Sequence, residues 1–516
     1  MAGRADVAGM QVYDNRRGVD YLLTRPEVDG ERLGVSGASG GGNQTMYAGA
    51  LDERFKAVAP VCSVGNYQAY LQAACCVCEV LPGALRVTEE GDVLGLVAPR
   101  ALMVVNATMD SFQFSVAEAD KSLERARAIF KLYDALDQVV HPTFESPHAY
   151  NQAMREAMYG WMTRWLKGEG DGKPIPEPKH EVEKVEDLAC FEEGKRPATF
   201  VFPCTYAGRE AKRLLAAHDG HVRDHREAWE ATAVLQRARL RDAVFGGFPR
   251  LAQPDGKMGE PMDAEGVRTL SLVLESEPGL SLSAWVRGGA GPKDKGAVCI
   301  LLHLDGKAEA LKHPLAAALL EKNAIVLAPD LRATGTAKME GDVVHGTPDH
   351  TSSERSVWVG RPLLGQWVFD IHRLLDWAAA EPRLHAGRFS LVGIGPAGLV
   401  ALCAAAAADE RIIGVAAVDA PATLVTEEPY GAGMRMALMA PRLFTVGDAP
   451  QLAALAAPRR LIVAGGVTPQ DRKLGGKEIE QAYAFTSEVY GLYKGGDRLS
   501  LLDEAKPEEL AALLVG

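Results

Sequence analysis

The chain repeats itself, and that repetition limits the folds open to it. Val12–Pro26 lies without gaps on Val368–Pro382, and the register continues through Arg32 onto Arg388 and Gly37 onto Gly393. With one inserted residue, Asp52-Glu-Arg54 then meets Asp409-Glu-Arg411. Later, Ala98-Pro-Arg100 meets Ala457-Pro-Arg459, and Leu132-Tyr133 meets Leu492-Tyr493. Matches that recur in order along a whole unit imply two homologous α/β units in tandem. The 516 residues are also too many for a single core. The expected organisation is a first unit over 1–172, a linker and helical segment over 173–262, and a second unit over 263–516. Lys173-Pro-Ile-Pro-Glu-Pro178 and the charged run to Asp187 read as extended linker, and Ala207 to Ala243 as one or two exposed helices packed beside a domain.

Within the first unit, Gly37-Ala-Ser-Gly-Gly41 follows the apolar run Leu33 to Val35 and precedes a helical segment. Strand, tight turn and helix in that order form the setting of a nucleophile elbow, with Ser39 in the G-x-S-x-G frame. So sharp a turn requires residues almost without side chains two before and two after the Ser. The Gly40 amide would then point at a developing oxyanion. Ser36 is the poorer nucleophile, because Ala38 occupies the place of its second Gly. Ala98 to Ala107 reads as a buried strand with Asp110 just beyond its end, and Phe144 to Tyr150 as a loop presenting His148. An amphipathic segment, Asn151 to Leu166, follows. Ser39, Asp110 and His148 stand in the Ser…Asp…His order of α/β-hydrolases, each where a strand ends. Acyl transfer needs those types: a hydroxyl to attack, an imidazole to move its proton, a carboxylate to orient the ring. His141 is the alternative base.

The second unit contains Gly393-Ile-Gly-Pro-Ala-Gly398, with Asp419 about twenty residues on, a spacing that also fits a dinucleotide-binding fingerprint. The repeat lays Gly395 over Ser39, so the stretch reads instead as an elbow without its Ser. Pro469 falls opposite Asp110, Lys506 to Glu508 fall where His148 would be, and no His follows His385. The second unit is therefore expected to be structural or a binding module. Four strand-like runs precede its elbow, Thr269 to Glu275, Leu280 to Val286, Ala297 to His303 and Ala324 to Pro329. The first unit has only a short segment before Asp14, so it is expected to be N-terminally incomplete. The absent strands would carry the second oxyanion donor.

A net charge of −12 argues against a nucleic-acid or anionic-membrane partner. No apolar run is long enough to span a bilayer, and Met1 to Val7 lack the apolar core of a signal peptide. Cys75-Cys-Val-Cys78 lacks a second ligand pair at zinc spacing, which favours buried or pocket-lining thiols. His218, His221 and His225 read as a solvated helix face.

The Gly-Ala-Ser-Gly-Gly-Gly elbow, Cys-Val-Cys-Glu79, the Ala-Pro-Arg strand and Ser-Pro-His-Ala-Tyr-Asn151 together resemble the acetyl xylan esterase-like α/β-hydrolases, near the prolyl oligopeptidase family. Gly360-Arg-Pro-Leu-Leu-Gly-Gln-Trp367 resembles the second unit of such tandem proteins. The resemblance implies a Ser39 nucleophile, an Asp110 acid, a His148 base and the Gly40 N–H as one oxyanion donor. Cys76, Cys78 and Glu79 would line the pocket. It implies small acyl esters of carbohydrate as substrates, no cofactor and no metal, and is compatible with a homo-oligomer. The alternatives are a peptidase or broad-specificity esterase, a non-catalytic scaffold, and a nucleotide-binding oxidoreductase.

Overall fold

A computed structural model describes residues 7–72, 79–219, 225–264, 267–288, 297–384, 387–407, 409–494, 496–504 and 506–515. The chain divides into two compact units, Ala5–Val201 with Trp358–Gly360, and Phe202–Val357 with Arg361–Gly516.

The N-terminal unit runs α1 (Val7–Leu22), β1 (Leu33–Ala38), α2 (Gly40–Leu51), β2 (Phe55–Val61), α3 (Tyr67–Tyr70), α4 (Glu90–Gly95), β3 (Ala101–Met103), β4 (Asn106–Ala107), α5 (Val116–Leu132), β5 (Val139–Val140), β6 (Thr143–Phe144) and α6 (Gln152–Met162). Strands β1, β2, β3 and β5 form a parallel sheet in that order, and β4 pairs in parallel with β6. Successive strand residues point to opposite faces, and the sequence fills both with apolar groups. Val58 and Leu102 pack with Met46 of α2 and Leu123 and Phe130 of α5. Ala57, Ala59, Ala101 and Met103 turn the other way, onto Met154 and Trp161. Helices on both faces explain why β2 reads as an unbroken apolar run instead of alternating.

The C-terminal unit begins with α7 (Pro203–Asp219) and α8 (Arg226–Arg239), then β7 (Gly256–Ala264), β8 (Val267–Glu277), β9 (Leu280–Arg287) and β10 (Val298–Leu302). It continues through α9 (Lys307–Lys312), α10 (Pro314–Glu321), β11 (Ile325–Asp330), the small pair β12 (Val343–Val344) and β13 (Thr347–Pro348), α11 (His350–Trp358) and α12 (Leu363–Ala380). The last part holds β14 (Phe389–Ile394), α13 (Ala397–Ala406), β15 (Ile412–Val418), β16 (Arg460–Ala464) and β17 (Leu499–Leu502). Nine strands form one mixed sheet in the order β17-β16-β15-β14-β10-β11-β9-β8-β7, with β7, β8 and β9 antiparallel.

The four expected leading runs are β8 to β11. The sequence did not reveal β7, which carries Pro261 beside a register shift on the sheet edge, where a missing N–H is tolerated. The helices pack beside the sheet: Ala211 and Leu214 of α7 and Trp229 and Ala233 of α8 share one core with its nine strands. His218 and His225 do not lie on one helix, because α7 ends at Asp219 and His225 precedes α8; His221 lies outside the described residues. No described helix is long and apolar enough to cross a membrane.

Matched sequence positions carry matched geometry. Arg54 pairs with Asp20 at 2.6 Å and Asp52 at 2.5 Å; Arg411 pairs with Asp376 at 2.8 Å and Asp409 at 2.6 Å. Arg100 donates to the Asp52 carbonyl and Arg459 to the Asp409 carbonyl, both at 3.1 Å. After the paired strands, Ser39 and Gly395 have φ of 58° and 57°, and Cys62 and Asp419 have φ of 48° and 49°.

Candidate active site

Ser39 sits between β1 and α2 with φ 58° and ψ −124°, a conformation that non-glycine residues seldom adopt. Two backbone bonds fix it. Its N–H donates to the Val61 carbonyl at 3.0 Å, and its carbonyl accepts from the Asn43 N–H at 3.0 Å. A Cβ on Gly37 would lie 2.5 Å from the Gly41 carbonyl oxygen, so only Gly fits there. The expectation for Gly41 is corrected: a Cβ there meets nothing within 4 Å. The tight position is Gly42, whose Cβ would strike the Ser63 side chain and come within 2.8 Å of the Val61 carbonyl. Gly40 is the first residue of α2, where N–H groups have no intrahelical acceptor.

Asp110 and His148 are brought together by the β4–β6 pairing. Past those strands, the Thr108 N–H donates to Phe144 at 2.9 Å and the Met109 N–H to Ser146 at 3.1 Å, holding the two loops side by side. Both Asp110 oxygens then lie 2.9 Å from His148 Nδ1. One of them also accepts from the Ser111 N–H at 2.7 Å. The Asp110 side chain is 0 % exposed and that of His148 42 %, so the carboxylate is shielded while the ring reaches solvent. A carboxylate has only acceptors to offer, so Nδ1 carries the hydrogen and Nε2 is left with a free lone pair. The Phe114 ring stacks beside the imidazole at 5.9 Å between centroids.

The sequence reading did not single out Cys62. It follows β2, its N–H donates to the Val105 carbonyl at 2.8 Å, and its thiol lies 3.5 Å from the Ala149 carbonyl. One donor atom each of Cys62, Asp110 and His148 lie within 4.8 Å of one another. Burial pushes the Cys62 thiol above its ordinary range, which keeps it protonated at neutral pH. Because Ser39 bonds the carbonyl of the preceding Val61, the end of β2 links the elbow to the Asp–His pair. The available signal was Cys62's place just after a buried strand parallel to the elbow strand.

Ser36 bonds the Ala59 carbonyl at 3.0 Å and the Tyr150 hydroxyl at 2.8 Å, as a structural hydroxyl would. The buried His141 ring is held by Asp120 at 3.1 Å and Asn106 at 3.0 Å, leaving neither nitrogen free for a substrate proton. Cys76 and Cys78 lie outside the described residues. Glu79 is 4 % exposed and acts electrostatically on the buried Tyr70 and Glu90. In the C-terminal unit, Gly395 occupies the elbow, and Asp471 accepts from the Gly433 N–H at 2.8 Å, tying down a loop.

Residues 1–77 match the model of the prolyl oligopeptidase family. This match agrees with the resemblance to acetyl xylan esterase-like α/β-hydrolases near that family. Among curated proteins, the "Putative hydrolase YtaP" of Bacillus subtilis (strain 168) is 24 % identical over 163 residues, which are 31 % of this chain and 54 % of that protein. The chain thus spans about half the length of this relative. Among solved structures, a "putative acetyl xylan esterase" from Bacteroides fragilis NCTC 9343 is 15 % identical with a TM-score of 0.47, covering 62 % of this chain and 86 % of its own. A glucuronoyl esterase from Solibacter usitatus is 15 % identical with a TM-score of 0.43, covering 62 % and 98 %.

Proposed function

We propose that the N-terminal unit is a serine carboxylic-ester hydrolase that works through an acyl-enzyme. The observation that carries this reading is the shielded Asp110 carboxylate 2.9 Å from Nδ1 of a solvent-facing His148, in a unit whose Ser39 holds a strained turn between β1 and α2. In the proposed cycle, Nε2 of His148 takes the Ser39 hydroxyl proton as the oxygen attacks the ester carbonyl carbon. The tetrahedral oxyanion forms against the Gly40 N–H at the start of α2. The imidazolium, stabilised by Asp110, gives its proton to the departing alcohol. A water deprotonated by the same nitrogen then hydrolyses the acyl-enzyme. The cycle requires neither cofactor nor metal. Acetyl esters of carbohydrate, such as acetylated xylan, are the substrate class, on the strength of the sequence resemblance.

We read the C-terminal unit as a non-catalytic duplicate. The recurring Arg–Asp pairs and positive-φ positions support that reading, as does a glycine in place of the nucleophile. The test is turnover of a chromogenic acetyl ester and release of acetate from acetylated xylan, with Ser39→Ala as control. The expected result is turnover in the wild type only, with a fluorophosphonate probe attached to Ser39 and to no serine of 202–516. Equal rates in both proteins would overturn the esterase reading in favour of a scaffold. Faster cleavage of peptides than of acetyl esters would favour a peptidase.

A further inference from the structure

We propose that Cys62, Asp110 and His148 form a binding site for a soft divalent cation, zinc foremost, whose occupancy switches the triad off. Its effect on turnover rests on the esterase reading, whereas the metal site itself does not. Three donors of different elements converge here: a sulfur, a carboxylate oxygen and an imidazole nitrogen, all within 4.8 Å of one another. A tetrahedral zinc with bonds of about 2.0–2.3 Å holds such donors roughly 3.5 Å apart, so modest side-chain movement closes the site.

The surroundings suit a cation. The Cys62 thiol lies 3.5 Å from the Ala149 carbonyl and its sulfur within 4.8 Å of an Asp110 oxygen, so oxygen acceptors stand beside its hydrogen. Backbone bonds hold two of the donors: the Cys62 N–H donates to Val105 at 2.8 Å, and the Asp110 N–H to Ala107 at 3.4 Å. Cys62 and the Asp110 side chain are buried, while the part-exposed ring of His148 supplies the way in. Three protein ligands with a fourth position open to water match the coordination of accessible zinc sites.

The S–H bond breaks, its proton passes to solvent, and a metal–sulfur bond forms. Asp110 exchanges its hydrogen bond from Nδ1 for a metal–oxygen bond. Nδ1 binds the metal, and its hydrogen moves through solvent to Nε2. An imidazole protonated at Nε2 cannot accept the Ser39 proton, so the cation blocks general-base catalysis without touching the nucleophile.

The full-length chain is the protein to test, with zinc and cobalt(II) salts as probes. After equilibrium dialysis against a zinc buffer, the wild type should retain one equivalent more than Cys62→Ala, which keeps the other seven of the chain's eight cysteines. Cobalt(II) should give a thiolate-to-metal charge-transfer band that Cys62→Ala loses. Cys62→Ser, whose melting curve serves as the folding control, should lose it too. Zinc should inhibit acetyl-ester turnover by the wild type reversibly on chelation, and lose that effect in Cys62→Ala. Equal metal retention and equal cobalt spectra in wild type and Cys62→Ala would overturn the site. A Cys62-dependent metal in a chain without turnover would overturn the esterase reading alone.

Discussion

The two glycines flanking Ser39 look equivalent in the G-x-S-x-G frame, and the structure separates them. In Gly37→Ala, the new methyl would stand 2.5 Å from the Gly41 carbonyl oxygen, 2.7 Å from its carbon and 3.1 Å from its Cα. These are backbone atoms at the mouth of α2, so no rotamer change relieves the clash. Overpacking of this kind costs about 1–3 kcal/mol, and a rigid backbone neighbour sets the upper figure, about 3 kcal/mol. In Gly41→Ala nothing lies within 4 Å, and the residue is inside α2. Replacing a helical Gly by Ala there gains up to about 1 kcal/mol. The two variants should therefore differ by about 4 kcal/mol, close to three decades in the folding equilibrium. Urea midpoints at equal slope measure the difference, Gly37→Ala falling below the wild type and Gly41→Ala at or above it. The rate of fluorophosphonate labelling of Ser39 reports the elbow directly: Gly37→Ala should slow it by about 100-fold, since displacements near 1 Å have that effect. Equal midpoints for the two variants would refute the steric reasoning.

Asp110→Asn should lower kcat/KM for the acetyl ester by about 10³- to 10⁴-fold while leaving the fold intact, because the neutral amide no longer stabilises an imidazolium; a loss under tenfold would remove Asp110 from the triad. His141→Ala should cost about 1–3 kcal/mol of stability by unpartnering the buried Asn106 side-chain oxygen Oδ1, yet change kcat/KM of the folded enzyme by less than about threefold. A loss as large as that of His148→Ala would restore His141 as the base. Glu354 of α11 is buried with one carboxylate oxygen unbonded, and burial pushes its carboxyl from 4.5 up to about 7. The folded state thus binds a proton that the unfolded state has released between about pH 4.5 and 7, so stability falls as pH rises through that window. Glu354→Gln should remove this slope, raising stability by roughly 3 kcal/mol at pH 8 and leaving it nearly unchanged at pH 4.5. Urea midpoints at the two pH values check it, and a parallel shift at both would contradict the assignment.

What was legible in the sequence was chemistry that acts over a few residues. The Ser39 turn and the apolar strands β8 to β11 carry their own signals. The Asp-Glu-Arg motifs ending at Arg54 and Arg411 were marked by their recurrence, whereas their ion pairs were not. β7 was illegible, since an edge strand with Pro261 and little apolar character lacks the pattern that burial imposes. The helices of 203–239 were visible as helices, but not as parts of the C-terminal core, because an amphipathic stripe does not name the surface it covers.

By itself, the sequence determined the recurring positions of its two halves, the order Ser39, Asp110, His148 along the chain, and the glycine at 395. Each is a matter of residue identity and spacing. Only the tertiary structure decided which groups meet. Parallel β2 and β3 bring Cys62 to Asp110, the β4–β6 ladder brings Asp110 to His148, and the turn into α2 makes Gly42, not Gly41, the close-packed position. These contacts join residues up to 86 positions apart, from Cys62 to His148, and no local rule connects such positions until the sheet has formed.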